Sequence, residues 1–299
     1  MFRGIVWIRP DTRLPFIRLR MVFFAISGVL VAGSLLLMAA RGLNYGIDFT
    51  GGIMIEARFS GPVDVAATRA KVDSLDLGGT EIQGFGGPNE VLIRLPLQEG
   101  DEKAQSRAVE KVKSALGASV EYRRVETVGP KVGAELLRES IVAVIVSLGG
   151  IMVYLWFRFE WKWGAAGIAA LFHDVISTVG VFSLSGLEFN LSTVAALLTI
   201  AGYSINDTVV IFDRVRENLR KFKTMPLPEL FDRSINETLS RTINTSGTVF
   251  LTVLALYAFG GPVIRDFSFA LLWGVVVGSY STICVALPLL LYMNIDRGA

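Results

Sequence analysis

The sequence predicts an α-helical membrane protein with six transmembrane helices and one external α+β domain between the first and the second. Three observations carry this. Of 299 residues, 52% are hydrophobic and only 19% charged, and a mean hydropathy of +0.52 is too apolar for a chain that folds wholly in water. Six stretches are long enough, and free enough of charge, to cross about 30 Å of hydrocarbon. One stretch of mixed charge and regular patterning, residues 41–139, stands apart from them.

The elements follow in order. Residues 1–20 carry Arg3, Arg9, Arg13, Arg18 and Arg20 and read as a cytoplasmic tail. Residues 21–40 contain no ionisable group and form the first span. Met38-Ala39-Ala40-Arg41 is a poor cleavage site, so this span is read as a retained anchor and not as a signal peptide. Residues 41–139 hold 13 Lys/Arg and 15 Asp/Glu and fold outside the membrane. Within them period-2 runs alternate with amphipathic segments: strand 53–59, helix 63–75, strand 80–85, strand 90–95, helix 101–116 and strand 119–128. The order βαββαβ is that of the ferredoxin-like split unit, with Gly86-Gly87-Pro88-Asn89 as the central turn. No catalytic cluster marks the domain, which points to binding or lever action.

Residues 140–295 supply the five remaining spans: 140–157, 164–187, 189–212, 242–264 and 267–295, with Gly260-Gly261-Pro262 ending the fifth early. A connection at 213–241 separates the fourth from the fifth, and 296–299 form the C-terminus. Fourteen Lys/Arg lie in the N-terminal tail, the second-to-third connection (Arg158, Lys162) and the 213–241 loop, against Arg265 alone in the short loops opposite. The positive-inside rule places both termini in the cytoplasm and residues 41–139 outside.

Composition excludes several functions. A net charge of +2 and the lack of a basic, aromatic-interleaved surface argue against nucleic acid. One cysteine, Cys284, and one histidine, His173, leave no disulfide and no zinc-binding set, so no metal or other cofactor is expected. Asp174 and Asp207 on adjacent spans suggest an intramembrane aspartyl protease, but Asp207 follows Ser204-Ile205-Asn206 and not the Gly-x-Gly such proteases carry. The chain is therefore not read as an enzyme.

What remains is polar chemistry inside lipid, which costs at least about 2.5–3.5 kcal/mol per charge at mid-bilayer and marks pathways. Asp207 tops a face of the fourth span shared with Tyr203 and Thr199, flanked by Ser204 and Asn206. On the fifth, Arg241 heads a stripe of Asn244, Thr245, Thr248 and Thr252. In the third, His173 and Asp174 precede Ser177 and Thr178. Asp207 lies about five residues, or about 8 Å, inside its span, level with Arg241. An acid and an arginine sharing a hydrated crevice can exchange a proton as they part and approach, which is a proton-driven cycle. The competing readings are a static pair that fixes helix register, a snorkelling Arg241, and a His173–Asp174 pair that only bonds neighbouring helices.

Four motifs carry a resemblance. Gly46-Ile47-Asp48-Phe49-Thr50-Gly51-Gly52, Trp156-Phe157-Arg158-Phe159-Glu160-Trp161-Lys162 with Ala170-Leu171-Phe172-His173-Asp174, Gly202-Tyr203-Ser204-Ile205-Asn206-Asp207 running on to Arg214, and Ser240-Arg241-Thr242-Ile243-Asn244-Thr245-Ser246 resemble the SecF family of the bacterial SecDF protein-export complex, within the resistance-nodulation-division superfamily. The resemblance implies an inner-membrane subunit that pairs with SecD and works beside the SecYEG channel and the SecA motor. It implies use of the proton-motive force to draw out the translocating preprotein, with Asp207 as the proton-carrying acid and Arg241 as its partner. Asp48 falls in a family motif, although a turn-capping role accounts for it equally well. Two rivals stay open: a proton-driven half-transporter for lipids or small molecules, and a structural assembly subunit.

Overall fold

The computed structural model describes residues 12–100, 102–117 and 119–295. Arg3, Arg9, the predicted helix start at Asp101 and the C-terminal residues 296–299 fall outside that range. A 3₁₀ turn, Ile17–Leu19, leads into α1 (Arg20–Arg41), a two-residue strand β1 (Asn44–Tyr45) and a single helical turn α2 (Ile47–Thr50). Then come β2 (Gly52–Arg58), α3 (Val65–Asp73), β3 (Glu81–Gly84), β4 (Glu90–Leu95), α4 (Glu102–Leu116) and β5 (Glu121–Val128). The membrane region follows as α5 (Pro130–Arg158), α6 (Trp161–Ser185), β6 (Glu188–Phe189), α7 (Leu191–Lys221), α8 (Leu227–Phe259) and α9 (Arg265–Ser281). A π-helical stretch, Thr282–Ala286, joins α9 to α10 (Leu287–Leu290).

Six helical segments are long and apolar enough to cross a membrane, one for each predicted span. The soluble elements also fall where the patterning put them. Their sheet is antiparallel throughout, in the order β3-β4-β2-β5, the element order on which the ferredoxin-like expectation rests. Strand β2 puts Ile53, Ile55 and Ala57 on the face covered by Val72 of α3 and Val109 and Val112 of α4, the alternation a half-buried strand requires. Helix α3 starts at Asp64, whose carboxylate accepts from the Ala66 and Ala67 amides, satisfying two of the donors a helix N-terminus leaves open.

The helix ends differ from expectation because absence of charge sets only the lipid-crossing part. Helix α5 starts at Pro130, not residue 140. No breaker lies between them, and proline is favoured in a first turn where its missing N–H costs nothing. Its outer end stands against α2, where a Cβ on Gly133 would lie 2.9 Å from the Phe49 carbonyl oxygen, so glycine permits the approach. Helix α8 likewise begins at Leu227, not 242, and α7 runs to Lys221, past 212. The Gly-Gly-Pro stop is where predicted, α8 ending at Phe259. The sixth span is not one regular helix, since its ladder widens at Thr282.

Two apolar clusters occupy the membrane region. One contains Leu171 of α6, Ile211 and Phe212 of α7, Leu239 of α8 and Ile283. The other contains Phe182, Ile200, Val253 and Leu271 of the same four segments. Along each helix the polar residues lie between the two: buried Asp174, Ser177 and Thr178 on α6, buried Ser204, Asp207 and Thr208 on α7, half-buried Ser246 on α8, and half-buried Ser279 with buried Ser281 on α9. The bundle is a polar layer between two greasy ones.

Candidate functional site: a buried polar layer

Close helix contact makes the layer possible. A Cβ on Gly278 of α9 would sit 3.1 Å from Ser204 Cβ and 3.6 Å from an Asp174 carboxylate oxygen, and Gly274 abuts Ile200 in the same way. Small residues four apart let backbones approach inside lipid, where van der Waals packing and hydrogen bonds replace the hydrophobic drive.

The two acids in this layer differ in how well they are satisfied. Asp174 is fully buried. Its Oδ2 accepts from Ser204 Oγ at 2.7 Å and Ser281 Oγ at 2.8 Å, and His173 Nδ1 lies 3.0 Å from Oδ1. Three helices thus close on one carboxyl group. His173 is also buried, beside the Tyr280 ring, and its Nε2 has no hydrogen-bond partner. Asp207 is 4% exposed, yet among the described residues its side chain accepts from one hydroxyl, Ser246 Oγ at 3.3 Å. Ser246 in turn accepts from the Tyr203 hydroxyl at 2.9 Å and lies 2.7 Å from Ser279 Oγ. A buried carboxyl group with a single long hydrogen bond is less well solvated than one held by several donors.

The other expected residues are arranged differently. Arg241 is exposed on α8, and it forms none of the ion pairs found among the described residues. Thr245 and Thr248 are exposed and turn their hydroxyls back to their own helix, on Arg241 O and Asn244 O. Asn206 is exposed on α7. Of the predicted seam, only Tyr203 joins Asp207, through Ser246. Cys284 is buried at 6% exposure, among the packing residues. No group of three or more His, Cys, Asp or Glu side chains suited to a metal occurs among the described residues.

Three features were not anticipated. Ser246, Ser279, Ser281 and Thr282 carry the contacts between α9 and its neighbours. Their signal in the sequence was a cluster of hydroxyl residues in an otherwise apolar span. Glu188 and Asp266 stand at the junction with the soluble domain, where Glu188 bonds Arg94 of β4. Burial pushes the Glu188 carboxyl above the usual carboxylate range, with Asp266 and Asp48 adding to it and Arg94 opposing it. Asp48 caps no turn of its own: its Oδ2 accepts from the Leu191 amide at 3.0 Å, the N-terminus of α7, and so binds the Gly-Gly segment to the membrane bundle.

Six lipid-length helices, a hydroxyl-lined pair of buried acids and a single globular insertion define a multi-pass membrane protein. Comparison with known proteins narrows this. Residues 108–296 match the protein export membrane protein SecD/SecF, C-terminal family, and residues 36–63 match the SecD/SecF GG motif. The chain belongs to this family, as a SecF-type member of the inner membrane. It is 46% identical to the protein translocase subunit SecF of Cereibacter sphaeroides, over 96% of this chain and 91% of that one. It is 42% identical to that of Vibrio alginolyticus, over 97% and 93%. Against the protein translocase subunit SecDF of Brucella abortus it is 42% identical over 98% of its length, but spans only 39% of that longer chain. The crystal structure of SecDF from Thermus thermophilus, a translocon-associated membrane protein, superposes with a TM-score of 0.87 at 40% identity, covering 98% of this chain and 40% of that one. A second SecDF structure, in a super-membrane-facing form, gives 0.72.

Proposed function

We propose that this chain is the SecF half of a proton-driven accessory translocase that works with SecD, beside the SecYEG channel and the SecA motor, in late steps of preprotein export. Asp207 is the proton-carrying acid, Arg241 the cation of the adjoining helix, and His173–Asp174 the buried anchor deeper in the proton pathway. The observation that carries this reading is the contrast between the two acids: Asp174 is saturated by donors from three helices, whereas Asp207 is buried with one. A proton reaching Asp207 from outside releases about 2.3 kcal/mol per 100 mV for a full crossing, enough to bias a helix arrangement between two states.

The exposed faces of α7 and α8 support a partner. Asn206, Arg241, Asn244, Thr245 and Thr248 all lie on the outside of this single chain, at a level where hydrocarbon penalises polar groups. A second helical bundle covers that seam, and in the SecDF relatives one polypeptide is long enough to supply it. The cation count places both termini in the cytoplasm and residues 41–139 outside, where the α+β domain handles the emerging chain without catalysing a reaction.

The test is Asp207→Asn in the assembled complex, with preprotein export into inverted membrane vesicles measured with and without a proton gradient. The gradient-dependent part of export disappears in the variant. If it persists while the complex still assembles, the chain is a scaffold and the proton reading fails.

A further inference from the structure

The hydrogen atoms around Ser246 do not add up unless Asp207 is counted with them. Three oxygen–oxygen contacts run in series: Asp207 Oδ2 to Ser246 Oγ at 3.3 Å, Ser246 Oγ to Ser279 Oγ at 2.7 Å, and Ser279 Oγ to the Val275 carbonyl at 2.8 Å. Each contact needs a hydrogen, and the two serines own one apiece. The Tyr203 hydroxyl spends its own on Ser246 at 2.9 Å. With Asp207 ionised, two of the three bonds form: Ser246 donates to the carboxylate, Ser279 donates to Ser246, and Val275 O keeps only its helical amide. With Asp207 protonated, all three form: the carboxyl O–H donates to Ser246, Ser246 donates to Ser279, and Ser279 donates to Val275 O. In both states Ser246 makes three bonds, so it switches without leaving a buried group unpaired.

We propose that Ser246 and Ser279 are positioning residues forming a reversible hydroxyl chain between Asp207 and α9, whose direction is set by whether Asp207 carries a proton. This rests on Asp207 as the proton carrier and adds how its occupancy is read by the bundle. One proton arrives at or leaves the carboxyl group, and two hydroxyl hydrogens swing. No other bond changes. In the ionised state Ser279 reaches across to α8, and in the protonated state it returns to its own helix.

The neighbouring residues show where that change goes. Tyr280 bonds Phe23 O and Ser27 of α1, Ser281 bonds Asp174 of α6, and Thr282 bonds Thr208 of α7. Four consecutive residues of the last span therefore touch four other helices. The π-helical stretch begins at Thr282, and such widened turns recur at functional sites and accommodate changes of register. The titratable and charged groups around Asp207 are Tyr203 on its own helix, Arg241 on α8, His173 and Asp174 on α6, and Tyr280 with Cys284 in the last span. Of these, Tyr203 reaches Asp207 through the Ser246 hydroxyl, and Arg241 forms no ion pair with it among the described residues.

The experiment uses the full chain assembled with its SecD partner in proteoliposomes, comparing the parent with Ser246→Ala, Ser279→Ala, Ser246→Thr and Asp207→Asn. Two quantities are read: the pH midpoint of gradient-driven export, and the infrared stretching band of the protonated carboxyl group that Asp207→Asn abolishes. Ser246→Ala and Ser279→Ala each displace the midpoint by about one to two pH units, the size of a hydrogen bond to a charged group on that scale. Ser246→Ala also moves the carboxyl band, and Ser246→Thr restores both. Should an alanine variant fail to assemble, Ser246→Cys, nearly isosteric and a weak donor, shifts the midpoint in the same sense by a smaller amount. Unchanged midpoints and band in the serine variants, with export still abolished by Asp207→Asn, overturn the relay and leave the proton reading standing. Gradient-dependent export in Asp207→Asn overturns both.

Discussion

Replacing Arg94 exposes how the soluble domain is seated. Arg94 projects from β4 to Glu188 in β6, with side chains 11% and 14% exposed, and Glu81 of β3 lies 3.5 Å from the same guanidinium. Removing one partner of a buried pair costs about 3–5 kcal/mol because the other charge is stranded. With both ends partly wet, Arg94→Ala is expected to cost about 3 kcal/mol. Glu188→Gln keeps a hydrogen-bond acceptor for Arg94 and removes a carboxylate from beside Asp48 and Asp266, so it costs about 1 kcal/mol. Once Glu188 is neutral, loss of Arg94 strands nothing, and the double variant falls short of the sum by about 2 kcal/mol. The reporter is amide hydrogen exchange in lipid nanodiscs at Gly46, whose amide donates to the Phe189 carbonyl at 2.9 Å where β1 runs beside β6, a contact expected to open when the domain leaves its seat.

The pH dependence of that seating has a definite sign. Because burial raises the Glu188 carboxyl above its ordinary value in the seated state, seating is favoured by acid. The gain is complete below the ordinary carboxylate range and is lost as pH rises through the raised value. Exchange protection, corrected for intrinsic rates, therefore increases on mild acidification in the parent chain and increases less in Glu188→Gln. An additive double variant, or an Arg94→Ala chain with unchanged protection, refutes the reasoning.

Two further outcomes follow from packing. A Cβ on Gly180 of α6 would fall within the Ser34 side chain and 2.7 Å from its Cα. Gly180→Ala therefore loosens α1 from α6 at a cost of about 1–3 kcal/mol, seen as a lower melting temperature in detergent and recovered by adding Ser34→Gly. Asp48→Ala removes the acceptor at the N-terminus of α7 and costs about 1 kcal/mol, whereas Asp48→Asn, an equally good cap, stays near the parent in the same assay.

Much of this architecture is legible in the residues because the signals are local. Charge-free windows located six crossings, and period-2 runs located the four strands of the main sheet. Helix length was not legible, since residues 130–139 and 227–241 are charged but contain no breaker strong enough to stop a helix already nucleated next door. The site was half legible. Asp207 and Asp174 stood out as acids in lipid, but the partner assigned to Asp207 was the most strongly charged neighbour, Arg241, when the atoms that reach it belong to Ser246. A serine returning its hydroxyl to the preceding turn and a serine bridging two helices look alike in sequence. Only the facing helix tells them apart. Glu188 escaped for a similar reason: its partner Arg94 is far away in the chain, and no periodicity links the two.

The outer domain is held at three separate places. Its last strand passes through Gly129 alone into α5, a rod of about 43 Å at 1.5 Å per residue. Its neighbouring Gly-Gly segment hangs from the head of α7 by Asp48. Its β4 strand grips the turn between α6 and α7 through Arg94 and Glu188. With three attachments, rotation about any one of them strains the other two. This domain is a pedestal rather than a pendulum, and a tug on it is delivered to α5, α6 and α7 at once.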